Sequence, residues 1–448
     1  MSPPFLMFSV HQHWDPLKVC AVGRSYPPEL YSYIKDTRVR NVFEKIAIET
    51  EEDYQKLISK LEEFNVQVVR TDISDDLEIY HNYNKNGDMR IPKPPMCPRD
   101  HTIMVGNRFF MPGKDYGRTK KFLRDLQNSL SVSEVLSRLE NDDSLQKYLF
   151  DLLLPGRPIN IATASKLKKI LRDGWTQTSA FLSEEFMEIV EQAMTMTVGS
   201  NDAFPKFDKV NAFASMEKLV KDSGNEIVYD EYINAATSVR IGKDFYVNCQ
   251  NIINKLNEKN FLNRYKKLLP GYRVHPLDIP GHSDGSLCPV KPGLLVTLNG
   301  PELYKETFPG WEVVSLPGQS WERVTEHLDS KGKFKSQGRY WVPGEEKNDA
   351  FHEFVTDWYD HWVTYVEETV FDVNMLVIDE KNVICNNEND KVFKAFERHG
   401  ITPHVINFRH RYFWDGGLHC ITSDLHREGT QQDYFPDREL GYDYSIST

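Results

Sequence analysis

No apolar run in the 448-residue chain approaches the ~18 residues that a membrane-spanning helix needs, although 40% of its residues are hydrophobic. Basic residues are the minority charge: 54 Lys and Arg against 66 Asp and Glu leave a formal net charge of −12. That balance argues against a nucleic-acid surface or an anionic membrane as partner, and it is compatible with small cationic ligands. Cysteine is sparse. The six, at 20, 97, 249, 288, 385 and 420, form no C-x-x-C pair, so neither a disulfide framework nor a structural zinc site is suggested. The segment Met1-Ser-Pro-Pro-Phe-Leu-Met lacks the basic start and continuous apolar core of a signal peptide, and a cytoplasmic location with free thiols is expected. Aromatics at 12% and charged residues at 27% are ordinary for a globular protein.

What is present is a repeated pattern: a short β-rich run, an amphipathic helix, and another β-rich run bounded by Gly, Pro or Asn. One unit runs from Lys18–Gly23 through a helix over Glu52–Phe64 to a strand over Val66–Arg70. Another joins Ser238–Gly242, a helix over Ile252–Leu269 and a strand over Tyr272–Leu277. A third links Gly293–Thr297 to Trp311–Leu316, and a fourth combines a hairpin at Asn374–Cys385, a helix over Asp390–Arg398 and a strand over Pro403–Phe408. Repeated units of this kind predict one α/β array over residues 1–448. Two stretches break the pattern, a helical insertion at about 115–200 and a Trp-, Asp- and Glu-rich insertion at about 318–368.

Candidate chemistry concentrates in two Gly-bounded segments. In Gly416-Gly-Leu-His-Cys420 a thiol follows a glycine pair, which permits close backbone approach or positive φ. An unperturbed thiol is only a few per cent thiolate at pH 7, so a nucleophilic Cys420 needs positive charge beside it, which a cationic substrate could bring. In Gly281-His-Ser-Asp-Gly285, His282 has the residue type of an acid/base partner. Asp284, two residues on, would face the same side of an extended segment. The same five residues also fit the G-x-S-x-G nucleophile elbow with Ser283 as nucleophile, but Pro289, Pro292 and Gly293 oppose the helix that an elbow requires. A metal at His282, Asp284 and Cys288 would lack a second ligand cluster.

With Trp14-Asp-Pro-Leu-Lys18, Pro98-Arg-Asp100, Asn234-Ala-Ala236, Arg240-Ile-Gly-Lys-Asp244, the run Asn374 to Asn387, and Arg427-Glu-Gly429, these segments resemble the amidinotransferases of the guanidino-group-modifying (pentein) superfamily. The resemblance implies a five-bladed α/β propeller of ββαβ-like modules. It implies Cys420 as the nucleophile that attacks a guanidino carbon, His282 as the acid/base, and Asp100 and Asp284 as the carboxylates that grip the guanidinium. It further implies an amidino group moved from a guanidino donor, arginine or a relative, to an amine acceptor. No metal or cofactor is implied, and a homodimer is expected by analogy. Hydrolysis of the amidino-cysteine, as in deiminases and dihydrolases of the same superfamily, is the alternative, and a degenerate binding protein a further one.

The chain departs from the pattern in places. Where the family has an aspartate orienting the histidine, it carries Asn234, and Asp208 in Phe207-Asp-Lys-Val-Asn211 is a locally similar substitute. An amide holds an imidazole but does not stabilise the imidazolium, and the matching change in the serine-protease triad costs about 10⁴ in rate. Glu367 and Glu368 fall where glycine amidinotransferases place paired serines for the substrate carboxylate, and Pro301 falls near the arginine that serves it. Ile279 and Gly281 replace an Asn and a Met of the acceptor pocket. Acidic side chains in that place would repel an α-carboxylate, so a decarboxylated or polyamine-like substrate is expected.

Overall fold

Val22 pairs on one side with Arg70, in parallel, and on the other with Thr422, antiparallel, and this arrangement is repeated five times. The computed structural model describes residues 7–73, 93–111, 212–230, 233–249, 255–279, 282–317, 341–359, 362, 371–439 and 441–447. Strand β1 (Leu17–Val22) leads through a helix over Thr37–Glu63 to β2 (Gln67–Arg70). The second module comprises β3 (Ile103–Val105), β4 (Arg108–Met111), a helix over Ala214–Asp222 and β5 (Glu226–Tyr229). The third is β6 (Ser238–Ile241), β7 (Asp244–Asn248), a helix over Lys255–Leu268 and β8 (Arg273–Asp278). The fourth is β9 (Leu287–Lys291), β10 (Leu294–Thr297) and β11 (Glu312–Ser315), with a short 3₁₀ turn over Pro301–Tyr304 in place of an α-helix. The fifth is β12 (Leu376–Asp379), β13 (Asn382–Cys385), a helix over Asp390–Arg398 and β14 (Thr402–Val405).

In every module the middle strand runs antiparallel to the strand before it and parallel to the strand after it. The first module obtains its first strand from the other end of the chain, where β15 (Thr422–Arg427) pairs with β1. Strand β16 (Ile446–Ser447) adds to β8 in parallel. This is the five-module α/β propeller that the resemblance implied. The chain separates into two compact units, one of residues 1–111, 212–250 and 256–448 and another of 112–211 with 251–255. The five sheets belong to the first. The helical insertion expected at 115–200 lies outside the described residues.

Local sequence explains the elements. The helix over Thr37–Glu63 starts at Asp36, whose carboxylate accepts the Arg38 N–H as an N-cap. It buries Val39, Val42, Phe43, Ile46, Ala47, Tyr54, Leu57 and Leu61 along one stripe. Phe43 packs on Tyr31, Phe351, Tyr359 and Phe413, so the described part of the second insertion, with its helix over Asp349–Trp358, lies against this helix. Asn389 caps the helix over Asp390–Arg398 through the N–H groups of Lys391 and Val392. Val392, Ala395 and Phe396 on that helix join a large apolar cluster with Leu294, Val296, Met375 and Val383. Among the described residues no helix is long and apolar enough to cross a membrane.

Candidate active site

Each module is preceded by a loop that leads into its first strand, and Asp100, Asn234, His282, Asp284 and Cys420 all sit in such loops. Asp100 precedes β3, Asn234 precedes β6, His282 and Asp284 precede β9, and Cys420 precedes β15. The loops are stitched into a closed cycle of hydrogen bonds. The Ala235 N–H donates to the Arg99 carbonyl at 3.1 Å, and the Ser283 N–H to the Ala236 carbonyl at 2.8 Å. Asn374, which precedes β12, donates from Nδ2 to the Asp284 carbonyl at 3.2 Å and accepts the His419 N–H on Oδ1 at 3.0 Å. Arg99 Nε then donates to the His419 carbonyl at 2.7 Å and returns the cycle to its start.

An ionic core lies behind this ring. Asp424 on β15 receives Arg240 through both oxygens at 2.7 and 2.9 Å, Arg427 at 2.7 Å and Arg99 at 3.3 Å. All four side chains are buried, and the arginines hold the Asp424 carboxyl well below its ordinary range against the opposing effect of burial. A buried charge of this kind persists only when paired and hydrogen-bonded. Because Arg99 spans from Asp424 to the 419 carbonyl, the core fixes Asp100 and Cys420 in the same frame.

At the centre of the ring, Cys420 is buried and its Sγ lies 3.5 Å from Asp284 Oδ2. That oxygen also receives His419 Nδ1 at 2.8 Å. Burial, reinforced by Asp284, Asp100 and Cys97, pushes the Cys420 thiol well above its usual pKa. Burial with the nearby Arg99 charge depresses His419 to about 4, leaving a neutral ring that donates to Asp284. Burial alone would raise the Asp284 carboxyl, but the His419 hydrogen bond and the charges around it hold it below its ordinary value. Asp100 is raised, by burial partly offset by His282, whose Nδ1 it faces at 3.9 Å. Asp284 Oδ1 and Asp100 Oδ1 are buried acceptors without a hydrogen-bond partner in the structure. Two such oxygens beside a thiol suit a cation with several N–H donors.

The expectation of an extended His282–Asp284 segment needs correcting. Residues Ser283–Gly285 form a 3₁₀ turn, because the Ala236 carbonyl accepts the Ser283 N–H, the Ser283 hydroxyl and the Asp284 N–H and pulls the segment round. Asp284 is turned inward and buried, while His282 remains 29% exposed. The Ser283 hydroxyl, spent on Ala236 at 2.7 Å and followed by strand β9, is not an elbow nucleophile. Cys288 points into the apolar cluster.

Gly416 and Gly417 serve close approach: a Cβ on Gly417 would sit 2.5 Å from Asn374 Oδ1 and 2.9 Å from Asn386 Nδ2, and one on Gly416 3.0 Å from Cys97 Sγ. The Asn234 Oδ1 accepts the Thr237 N–H at 2.9 Å and its hydroxyl at 3.0 Å, which closes its own loop. Pro301 is exposed at the start of its 3₁₀ turn, and Ile279 is buried. Gly281, Glu367, Glu368 and Asp208 lie outside the described residues. Asn374 and His419 were not singled out from the sequence as site residues. The signal for Asn374 was its phase, since it stands just before the first strand of a module as Asp100, Asp284 and Cys420 do.

No family profile matches the chain. It is 27% identical over 218 residues to the mitochondrial glycine amidinotransferase of Gallus gallus, covering 46% of this chain and 41% of that protein. It is 24% identical over 226 residues to the L-arginine:L-lysine amidinotransferase of Pseudomonas savastanoi pv. phaseolicola, covering 49% of this chain and 51% of the relative. The chain therefore spans about half the length of the curated relatives it matches. Among solved structures, the inosamine-phosphate amidinotransferase of Streptomyces griseus aligns with a TM-score of 0.45 and 17% identity over 96% of this chain and 99% of the other. Over about half of its length the chain is thus similar in sequence to amidinotransferases.

Proposed function

We propose that the protein moves an amidino group from a guanidino donor to an amine acceptor through an amidino-cysteine at Cys420. The observation that carries this reading is that two buried oxygens near Cys420, Asp284 Oδ1 and Asp100 Oδ1, have no hydrogen-bond partner. A planar guanidinium placed there would donate charge-assisted hydrogen bonds to both carboxylates, and its charge would offset the burial and the carboxylate repulsion that keep the thiol protonated. The thiol proton passes to His282, and the thiolate attacks the guanidino carbon to form a C–S bond. The C–N bond to the donor then breaks as His282 returns the proton to the departing amine. An acceptor amine, deprotonated by His282, attacks the amidino carbon and expels Cys420. The Asp100 charge, 3.9 Å from His282 Nδ1, also favours the imidazolium, while the Asn234 amide is spent on Thr237 in its own loop.

Counted along the sequence from Cys420, Glu367, Glu368 and Pro301 match positions that serve an α-carboxylate in glycine amidinotransferases, which favours a donor without one, such as agmatine, over arginine. The test is product analysis with guanidino-labelled agmatine and arginine, with and without a panel of amines, and with Cys420→Ala as blank. Label in a new guanidino compound only when an amine is present supports transfer. Label in a ureido product without any amine makes the protein a hydrolase.

A further inference from the structure

Asn374 enters none of the steps above, yet its side chain touches the sulfur. Its orientation is fixed by its neighbours. Oδ1 accepts the backbone N–H groups of His419 at 3.0 Å and Cys420 at 3.3 Å, so that end of the amide is the oxygen. The other end donates to the Asp284 carbonyl at 3.2 Å, and so must be the nitrogen. Its second N–H is left for Cys420 Sγ, which lies 3.0 Å away. The residue is fully buried, and Asn386 holds its backbone by donating to the Asn374 carbonyl at 2.6 Å while accepting the Leu418 N–H at 3.0 Å.

We infer that Asn374 is a catalytic residue whose amide N–H stabilises the Cys420 thiolate once the sulfur has lost its proton. This rests on the reading of Cys420 as nucleophile. Besides the Gly417 backbone N–H, which also favours a thiolate, the side chains around the sulfur work against it or are already committed. Cys97 and Asp100 approach from the loop before β3 and Asp284 from the loop before β9, with His282 beside Asp100 and His419 spent on Asp284. A donor already aimed at the sulfur requires no reorganisation when charge develops there, which is the property of an oxyanion-hole group. On release of the amidino group the same N–H receives the returning thiolate.

The experiment is the pH dependence of Cys420 alkylation by iodoacetamide, followed by mass spectrometry of the peptide that carries it, in the full chain with Cys420→Ala as blank. Asn374→Asp keeps the oxygen that accepts the two backbone N–H groups and replaces the donor; Asn374→Ala removes both ends. Asn386→Asp disturbs the same loop without touching the sulfur. The midpoint of alkylation is expected to rise by about one pH unit or more in both Asn374 variants, about tenfold slower reaction at any pH below it, and to stay in place in Asn386→Asp. An unchanged midpoint in Asn374→Asp with native circular dichroism overturns the inference, and so does an equal rise in Asn386→Asp. A Cys420 that fails to react in the parent protein overturns the nucleophile reading itself.

Discussion

The His419 imidazole donates through Nδ1 to Asp284 Oδ2 across 2.8 Å, both groups buried, and thereby leaves Asp284 Oδ1 as the acceptor that faces no partner. His419 thus orients a carboxylate rather than titrating in the reaction, since its depressed pKa of about 4 keeps it neutral at pH 7. Replacement by phenylalanine removes the hydrogen bond that holds the carboxylate in place and ionised. KM for the guanidino donor is expected to rise about tenfold or more, with a smaller change in kcat. Steady-state kinetics with a saturating amine check this, and an unchanged KM would show that Asp284 is held by other means.

Acid should destabilise the protein in two stages. His13, His275, His410 and His419 are buried with depressed pKa values. Between pH 6.5 and about 4 the unfolded chain binds protons there that the native state refuses. Their stabilisation is complete above pH 6.5 and falls as pH drops through that window, with His419 alone worth up to about 3 kcal/mol. Asp244, held near 2, and Asp424 contribute stability above the ordinary carboxylate range that is lost below it. Melting temperatures measured from pH 8 to pH 4 should decline from about pH 6.5 downward. A curve flat to pH 4.5 would contradict the burial of neutral histidines.

Removing the charge of Asp424 would leave Arg99, Arg240 and Arg427 facing one another in the interior. Asp424→Asn is expected to cost about 3–5 kcal/mol of unfolding free energy, read as a shift of the urea midpoint. Because Arg99 also anchors the 419 carbonyl, iodoacetamide should reach Cys420 faster in any folded fraction.

Gly417→Ala tests the close approach behind the thiol. The glycine does not have positive φ, so a methyl group brings no backbone strain, but it meets Asn374 Oδ1 at 2.5 Å and Phe371 Cδ1 at 2.9 Å. A loss of about 1–3 kcal/mol is expected from overpacking, together with a loss of transfer activity as the Asn374 amide is displaced. Wild-type stability in the denaturant titration would mean that the loop yields more readily than these distances imply.

Much of the site was legible because its charged groups stand in loops marked by Gly and Pro: Asp100 after Pro98, and Asp284 and Cys420 beside their glycines. The repeated modules were legible as hydrophobic runs bounded by turn residues, and the helix over Asp390–Arg398 has the predicted bounds. The helix placed at Glu52 begins at Thr37, since Arg38, Arg40, Glu44 and Lys45 on its outer side obscure the buried stripe. Pairing between Val22 and Thr422 has no periodic signature, so nothing local announced that the last module strand completes the first sheet. Asn374 was hidden for a different reason: an uncharged amide before a β-run is most often a turn residue, and its role follows only from the partners that fix its orientation.

Covalent transfer through Cys420 is tested by intact-protein mass spectrometry after rapid acid quench with guanidino-labelled agmatine or arginine. A Cys420 nucleophile gives a labelled amidino adduct that accumulates without an amine acceptor, is absent in Cys420→Ala, and discharges its label into a new guanidino product when amine is added. A protein that consumes the donor with no adduct on Cys420, or at an undiminished rate in Cys420→Ala, would contradict it.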